Sequence, residues 1–304
     1  MTPEQFWQNF KLGQEQEIAA NFIYDGLRIL HDIDLLGQET EIFPVLYNLS
    51  IGLERLSKVL IILNEFEDDL DVTKFEKKLK THEHLKLFDR VKKATPTNFN
   101  DIQIEFLGLL SEFYNNNRYD RLTFSSLTTF SKDKKSFLDF LHKNLNININ
   151  EESSISCVEN SFEIKYFIGK IVKDIVDVLY DAIRESAHKK NLYTYEISSS
   201  SSKAGKVLMG DRPIIFEDED RAIVEAIIFF MKTKESSLVK FLKEIDSLPL
   251  DPALDSEYLQ SILRKRPQDI QSLIDEIESY YDDIKNVDER LEIIDVIKNK
   301  DISI

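Results

Sequence analysis

EIFPVLYNLSIGLERLSKVLIILNEFE, residues 41–67, decides how the rest of the chain is read. Ile42, Leu46, Leu49, Leu53, Leu56, Leu60 and Leu63 recur in alternating steps of four and three, and Val45, Val59 and Phe66 widen the stripe. An α-helix collects residues at that spacing on one face. A face this long and this apolar needs other helices to cover it, so the stretch reads as the central helix of a bundle. Proline has no amide hydrogen, which places Pro44 within the first turn, where that hydrogen would have no intrahelical partner.

Working outward, Ile18, Phe22, Ile23, Leu27, Leu30 and Ile33 repeat the spacing over residues 14–36, with Gly37 as the stop. A charged connector carrying His82 and His84 leads to a third helix through Phe99, Ile102, Phe106, Leu109 and Phe113, ending at Asn115–Asn117. From about 123 to 161 the pattern weakens into an irregular excursion, with a short amphipathic piece around Phe137, Leu138 and Leu141. A fourth long helix follows over residues 162–191, with Ile164, Phe167, Ile168, Ile171, Ile175, Val178, Leu179 and Ala182 on one face. The segment EISSSSSKAGKVLMGDRP reads as an exposed linker, which puts a domain boundary near residue 205. The expected organisation is a bundle over residues 1–205 and an acidic helical region over 206–304, with a helix in FEDEDRAIVEAIIFFMKTK (216–234) and shorter ones at about 238–245, 256–264, 268–284 and 288–297.

Composition supports an all-α class. Glycine and proline number only 8 and 7 in 304 residues, while 42% of the chain is hydrophobic, enough to bury a core. A single cysteine, Cys157, excludes an internal disulfide framework and fits a loop in a reducing compartment. MTPEQFWQNF has neither a basic nor an apolar leader region, and no apolar run approaches membrane-spanning length, so the expected location is cytoplasmic with no membrane partner. A net charge of −16 opposes a broad electrostatic grip on nucleic acid. Residues 213–304 are the more acidic part, with 12 basic and 22 acidic side chains.

Four segments carry a resemblance: GLERLSKVLIIL (52–63), THEHLKLFDRVKK (81–93), YNNNRYDRL (114–122) and the long helix before NLYTYEI (191–197). Together they resemble a HEPN-like helical domain (higher eukaryotes and prokaryotes nucleotide-binding) of bacteria, over about residues 14–205. The resemblance implies a bundle of about four long helices. It also implies a bacterial setting in defence or toxin–antitoxin systems, an RNA or protein partner and a homodimer. Some members of that superfamily are ribonucleases and others are binding modules. Their catalytic signature is an arginine followed by a histidine with four to six residues between; Arg184 and His188 have three, and Glu185 follows the arginine.

The chemistry open to that pair is definable. Metal-independent RNA cleavage needs a group that moves the 2′-hydroxyl proton, which an imidazole suits, and a cation for the charged transition state, which a guanidinium suits. Arg184 and His188 share one helical face, but that face lies opposite the apolar stripe, where an Asp181–Arg184 ion pair on a wet surface is the plain alternative. Arg118 and Arg121 in RYDRL form a second cationic candidate for phosphate or nucleic acid; arginines there also answer a helix C-terminus. Glu54 and Lys58 have the spacing of an ordinary helical ion pair. His82 and His84 lack a third ligand, so no metal and no cofactor is expected.

The leading expectation is therefore a bacterial interaction or nucleic-acid-associated helical module. One alternative is a metal-independent endoribonuclease using Arg184 and His188. A second is an acidic inhibitor or immunity-type protein whose tail imitates nucleic acid.

Overall fold

A computed structural model describes residues 2–67, 71–94, 98–124, 132–147, 158–192, 202–233, 237–264, 267–284 and 286–298. Among these the chain is helical apart from one antiparallel pair of two-residue strands. It divides into two compact units, Met1–Ile215 and Phe216–Ile304.

In the first unit a short helix α1 (Pro3–Phe6) runs through a π-helical turn into α2 (Leu12–Asp32). Strand β1 (Leu35–Leu36) follows, and then α3 (Glu39–Glu65), the helix on which the others pack. Its periodic positions are almost fully buried: Ile42, Leu46, Leu49, Leu53, Leu56 and Leu60 are each at most 1% exposed. Pro44 is the sixth residue of this helix, one turn deeper than expected. Its own carbonyl oxygen accepts from the Asn48 side chain at 2.8 Å.

Small residues let α2 and α3 approach closely. A Cβ on Gly52 would lie 2.5 Å from Ile23 Cγ1 and 2.9 Å from the Ala19 carbonyl oxygen, so only glycine fits that crossing. Asn160 closes the C-terminal end of α2 by donating to the Leu30 and Ile33 carbonyls at 2.6 and 2.9 Å. The neighbouring strand β2 (Val158–Glu159) pairs with β1, which holds Asn160 there.

The connector after α3 is more ordered than expected. It forms α4 (Val72–Leu79), capped by the Asp71 side chain, and α5 (His84–Ala94). These helices are short, and Phe75, Leu87, Phe88 and Val91 provide their buried positions, so too few apolar residues recur for a clear period. Helix α6 (Asp101–Asn115) starts in a capping box between Asn100 and Gln103 and ends in a 3₁₀ turn, Asn117–Leu122. The expected excursion contains a true helix, α7 (Lys132–Leu145), which buries Phe137, Leu138, Phe140 and Leu141. Residues 125–131 and 148–157, including Cys157, lie outside the described residues.

Helix α8 (Phe162–Lys189) packs on α3. Asn191, at φ 54°, takes the left-handed conformation that ends a helix, and the Leu192 amide reaches back to the Ala187 carbonyl. Hydrogen bonds tie this end to the end of α3: the Asn64 amide and the Ser186 hydroxyl bond each other, with Asn64 Nδ2 donating at 3.0 Å, and Lys190 donates to the Phe66 carbonyl at 2.8 Å. Gly169 leaves room for the Ile214 backbone, whose carbonyl would stand 2.5 Å from a Cβ there. Of the expected exposed linker over 196–213, residues 196–201 lie outside the described residues, and the remainder is not exposed throughout, since Ala204, Val207 and Leu208 are buried.

The second unit contains α9 (Glu217–Lys232), α10 (Ser237–Glu244), α11 (Asp255–Arg264), α12 (Pro267–Tyr281) and α13 (Val287–Lys298). Glu217, Asp218, Glu219 and Asp220 occupy the first turn of α9, where carboxylates answer the helix dipole. That helix buries none of its residues and exposes Ile228, Phe229, Phe230 and Met231. Tyr258 on α11 donates to Glu276 on α12 at 2.5 Å, and the Asp251 amide donates to the same carboxylate at 3.0 Å. No helix among the described residues is long and apolar enough to cross a membrane.

Candidate functional site

Glu54 is the charged residue that the core helix buries. It sits among Ser50, Leu53 and Ser57, and its side chain is only 9% exposed. A carboxylate so placed must be paired. Lys58, one turn on, donates to Oε1 at 2.7 Å, as the sequence spacing anticipates. The second partner comes from 28 residues away: His82 Nδ1 lies 3.0 Å from Oε2 and 3.2 Å from Oε1.

That contact assigns the imidazole tautomer. An ionised carboxylate only accepts hydrogen bonds, so Nδ1 carries the hydrogen and the neutral ring keeps its lone pair on Nε2. The His82 side chain is 49% exposed. Asn115 fixes the backbone beside it by donating to the His82 carbonyl at 3.3 Å.

His84 has the opposite tautomer. Its Nε2 faces the Ser50 carbonyl at 2.8 Å, so that nitrogen carries the hydrogen. Nδ1 is buried with no hydrogen-bond partner. Burial holds the His84 imidazole below its usual pKa, against the opposing pull of the Ser50 carbonyl and Glu54. His82 lies just before α5 and His84 is its first residue, and both reach α3.

Tyr114, at the end of α6, joins this cluster to Arg118. Its ring centroid lies 5.1 Å from the His82 ring and 6.0 Å from the His84 ring. The Arg118 guanidinium carbon stands 3.8 Å from the Tyr114 centroid and 4.5 Å from that of Tyr119. The Arg118 guanidinium thus lies over two aromatic rings, and its buried Nε makes no hydrogen bond. Asp120, two residues on, turns to Lys132 at 2.9 Å. Tyr47 stacks with Tyr114 at 6.1 Å, and Tyr119, Leu122 and Phe124 are exposed. Burial pushes the Tyr114 phenol above its ordinary pKa, and Arg118 opposes that shift. Arg121 lies on the same 3₁₀ turn as Arg118, its side chain outside the described residues.

Arg184 and His188 occupy the outward face of α8. The Arg184 side chain is 67% exposed and meets Asp181 at 3.9 Å and the Tyr180 ring at 5.9 Å, both within its own helix. Ser186, between the pair, bonds Asn64 at the far end of α3. Ten residues of helix separate Asn64 from Glu54, roughly 15 Å at the α-helical rise. Within one chain, therefore, Arg184 and His188 share no contact with Arg118, Tyr114 or His82.

The sequence reading treated Glu54–Lys58 as an ion pair and His82 and His84 as unconnected residues. Glu54 alone leaves a signal: it stands between Ser50 and Ser57, a polar break in an otherwise apolar stripe, whereas nothing in the spacing points to the histidines. No three residues of His, Cys, Asp or Glu gather to hold a metal ion among the described residues. Comparison with protein-family models, with curated proteins and with solved structures finds no match to this chain.

Proposed function

We propose that this chain is a HEPN-like bacterial helical module that binds single-stranded RNA, of the kind that serves defence or toxin–antitoxin systems. The observation that carries the reading is Arg118, whose guanidinium lies over the rings of Tyr114 and Tyr119 next to the exposed Leu122 and Phe124. A planar cation beside the exposed Tyr119 ring suits unstacked nucleotides: bases lie against that ring or the guanidinium plane, and phosphate oxygens take guanidinium N–H groups. The net charge of −16 on the chain discourages indiscriminate binding. Bundled apolar-faced helices around α3 support the HEPN-like part of the reading. Arg184 and His188 supply a nuclease only if a second chain covers the outer face of α8.

Fluorescence anisotropy with an end-labelled oligoribonucleotide tests the binding. Arg118→Ala is expected to weaken it at least tenfold, and duplex DNA to bind less well than the single strand. Few cations contribute, so the slope of log affinity against log salt is expected near −2, about 0.7 per phosphate contact. Affinity unchanged in Arg118→Ala would remove the reading.

A further inference from the structure

We propose that the outward face of α9 docks an amphipathic helix of a protein partner, one that carries Lys or Arg beside its apolar stripe. An apolar helical stripe is stable when another element covers it, and a turn that is apolar all round belongs inside a core. The second unit provides little of either. Among the hydrophobic side chains described in α9 to α13, only Val239 is buried, although every one of these helices carries apolar residues. The last turns of α9 are the extreme case. Ile228, Phe229, Phe230 and Met231 are consecutive, so at about 100° per residue they surround the helix, and all four are exposed, Met231 by 77%. Phe229 meets Phe230 edge-on at 5.6 Å. Ala222 and Ala226, exposed earlier on the same face as Phe229, leave a shallow track that leads to its ring.

Charge decides what covers this face. Residues 216–304 carry 12 basic and 22 acidic side chains, a net charge of −10. A second copy would bring the same −10 to the contact, and nucleic acid or an anionic lipid surface would be repelled in the same way. A cationic helix is attracted instead. Asp218 and Glu225 border the alanine track and are exposed. Arg221 meets Asp218 at 2.9 Å, but both side chains are mostly exposed, and such pairs exchange readily for a better partner. A helix lying along α9 thus sets its apolar positions on Ala222, Ala226 and Phe229 and its cations against Glu225 and Asp218. Lys232 stands at the opposite end of α9, so the face runs from acidic to apolar and orients the partner with its cations toward the start of the helix.

The test uses the full-length protein and labelled synthetic peptides of roughly 20 residues, long enough to fold as a helix. One has leucine at the a and d positions of each heptad with lysine and alanine elsewhere; a second has glutamate for lysine, and a third serine for leucine. Only the lysine–leucine peptide is expected to bind. With it bound, amides of α9 are expected to exchange hydrogen about tenfold more slowly or better, because a helix with so little buried surface opens easily alone. Phe229→Ser is expected to weaken binding by about tenfold or more, the loss of a central aromatic contact, with the helical circular-dichroism signal unchanged. Met231→Ser, at the most exposed of the four positions, gives the same reading if Phe229→Ser unfolds. Equal binding of the glutamate–leucine peptide overturns the cationic partner. Equal binding of the serine peptide, or full affinity in both variants, reduces the contact to general attraction by an acidic protein and overturns the docking face. Binding of none of the three overturns the proposal. A dimer in sedimentation that Phe229→Ser dissociates assigns the face to a second copy and overturns it as well.

Discussion

His82 Nδ1 and Glu54 Oε2 meet at 3.0 Å, joining the turn before α5 to the middle of α3. The carboxylate also serves Lys58, so removing it leaves one buried-side cation and one oriented imidazole without a partner. Hydrogen bonds to charged groups contribute about 1.5–3 kcal/mol, and part of that is recovered here because His82 is half exposed. Glu54→Ala is expected to destabilise the first unit by about 2 kcal/mol. Urea unfolding followed by circular dichroism measures this, and a midpoint within error of the wild type would show that solvent replaces both partners.

Gly52 sets the distance between α2 and α3. A methyl group would lie 2.5 Å from Ile23 Cγ1 and 2.9 Å from the Ala19 carbonyl, and a backbone oxygen cannot turn aside as a side chain does. Gly52→Ala is therefore expected to lower stability by about 1–3 kcal/mol, the range for overpacking in a filled core. Gly108 offers the matched control, because nothing lies within 4 Å of a Cβ built there. Gly108→Ala sits inside α6 and is expected to raise stability by about 0.5–1 kcal/mol through helix propensity. Thermal or urea denaturation of the two variants should move them in opposite directions.

Long helices were legible because their periods are long. The stripe from Ile42 to Leu63 and that from Ile164 to Ala182 identify α3 and α8, and the stops at Asn115 and Asn191 match the ends of α6 and α8 closely. Helices α4, α5 and α7 were under-read for the same reason in reverse: with 8 to 14 residues each, they offer too few repeats to distinguish from a charged loop. Site residues were legible one at a time. Arg118 was singled out by its arginine-rich turn, and Glu54 with Lys58 by their spacing. The joining of Glu54, His82 and Tyr114 depends on how α3, α5 and α6 pack, and local spacing carries no record of a contact 28 residues long.

Arg184 offers a sharp contrast with Glu54. Its ion pair with Asp181 spans 3.9 Å between side chains that are both mostly exposed. Such pairs contribute about 0–1 kcal/mol and weaken with salt. Arg184→Ala is expected to change stability by less than about 0.5 kcal/mol and to leave RNA affinity unaltered, since it shares no contact with the Arg118 surface. Denaturation and anisotropy on one preparation measure both. A marked loss of binding would mean that the outer face of α8 takes part in recognition.

His84 makes stability depend on pH in a direction that can be worked out. In the unfolded chain an imidazole takes up its proton near pH 6.5, whereas in the fold burial lowers that value. Between the two values the unfolded state binds the additional proton, so acid favours unfolding: the contribution is fully present above about pH 6.5 and is lost as pH falls toward the lower folded value. One such group contributes a slope of at most about 1.4 kcal/mol per pH unit. Carboxylates titrate lower and overlap only at the acid end, so the informative window is pH 7 to 5.5. His84→Gln keeps a donor for the Ser50 carbonyl and does not titrate. The difference in urea midpoint between wild type and His84→Gln is expected to shift against the wild type as pH drops through this window. A constant difference would mean that His84 takes up its proton as readily in the fold as in the unfolded chain, through an opening that lets water reach Nδ1.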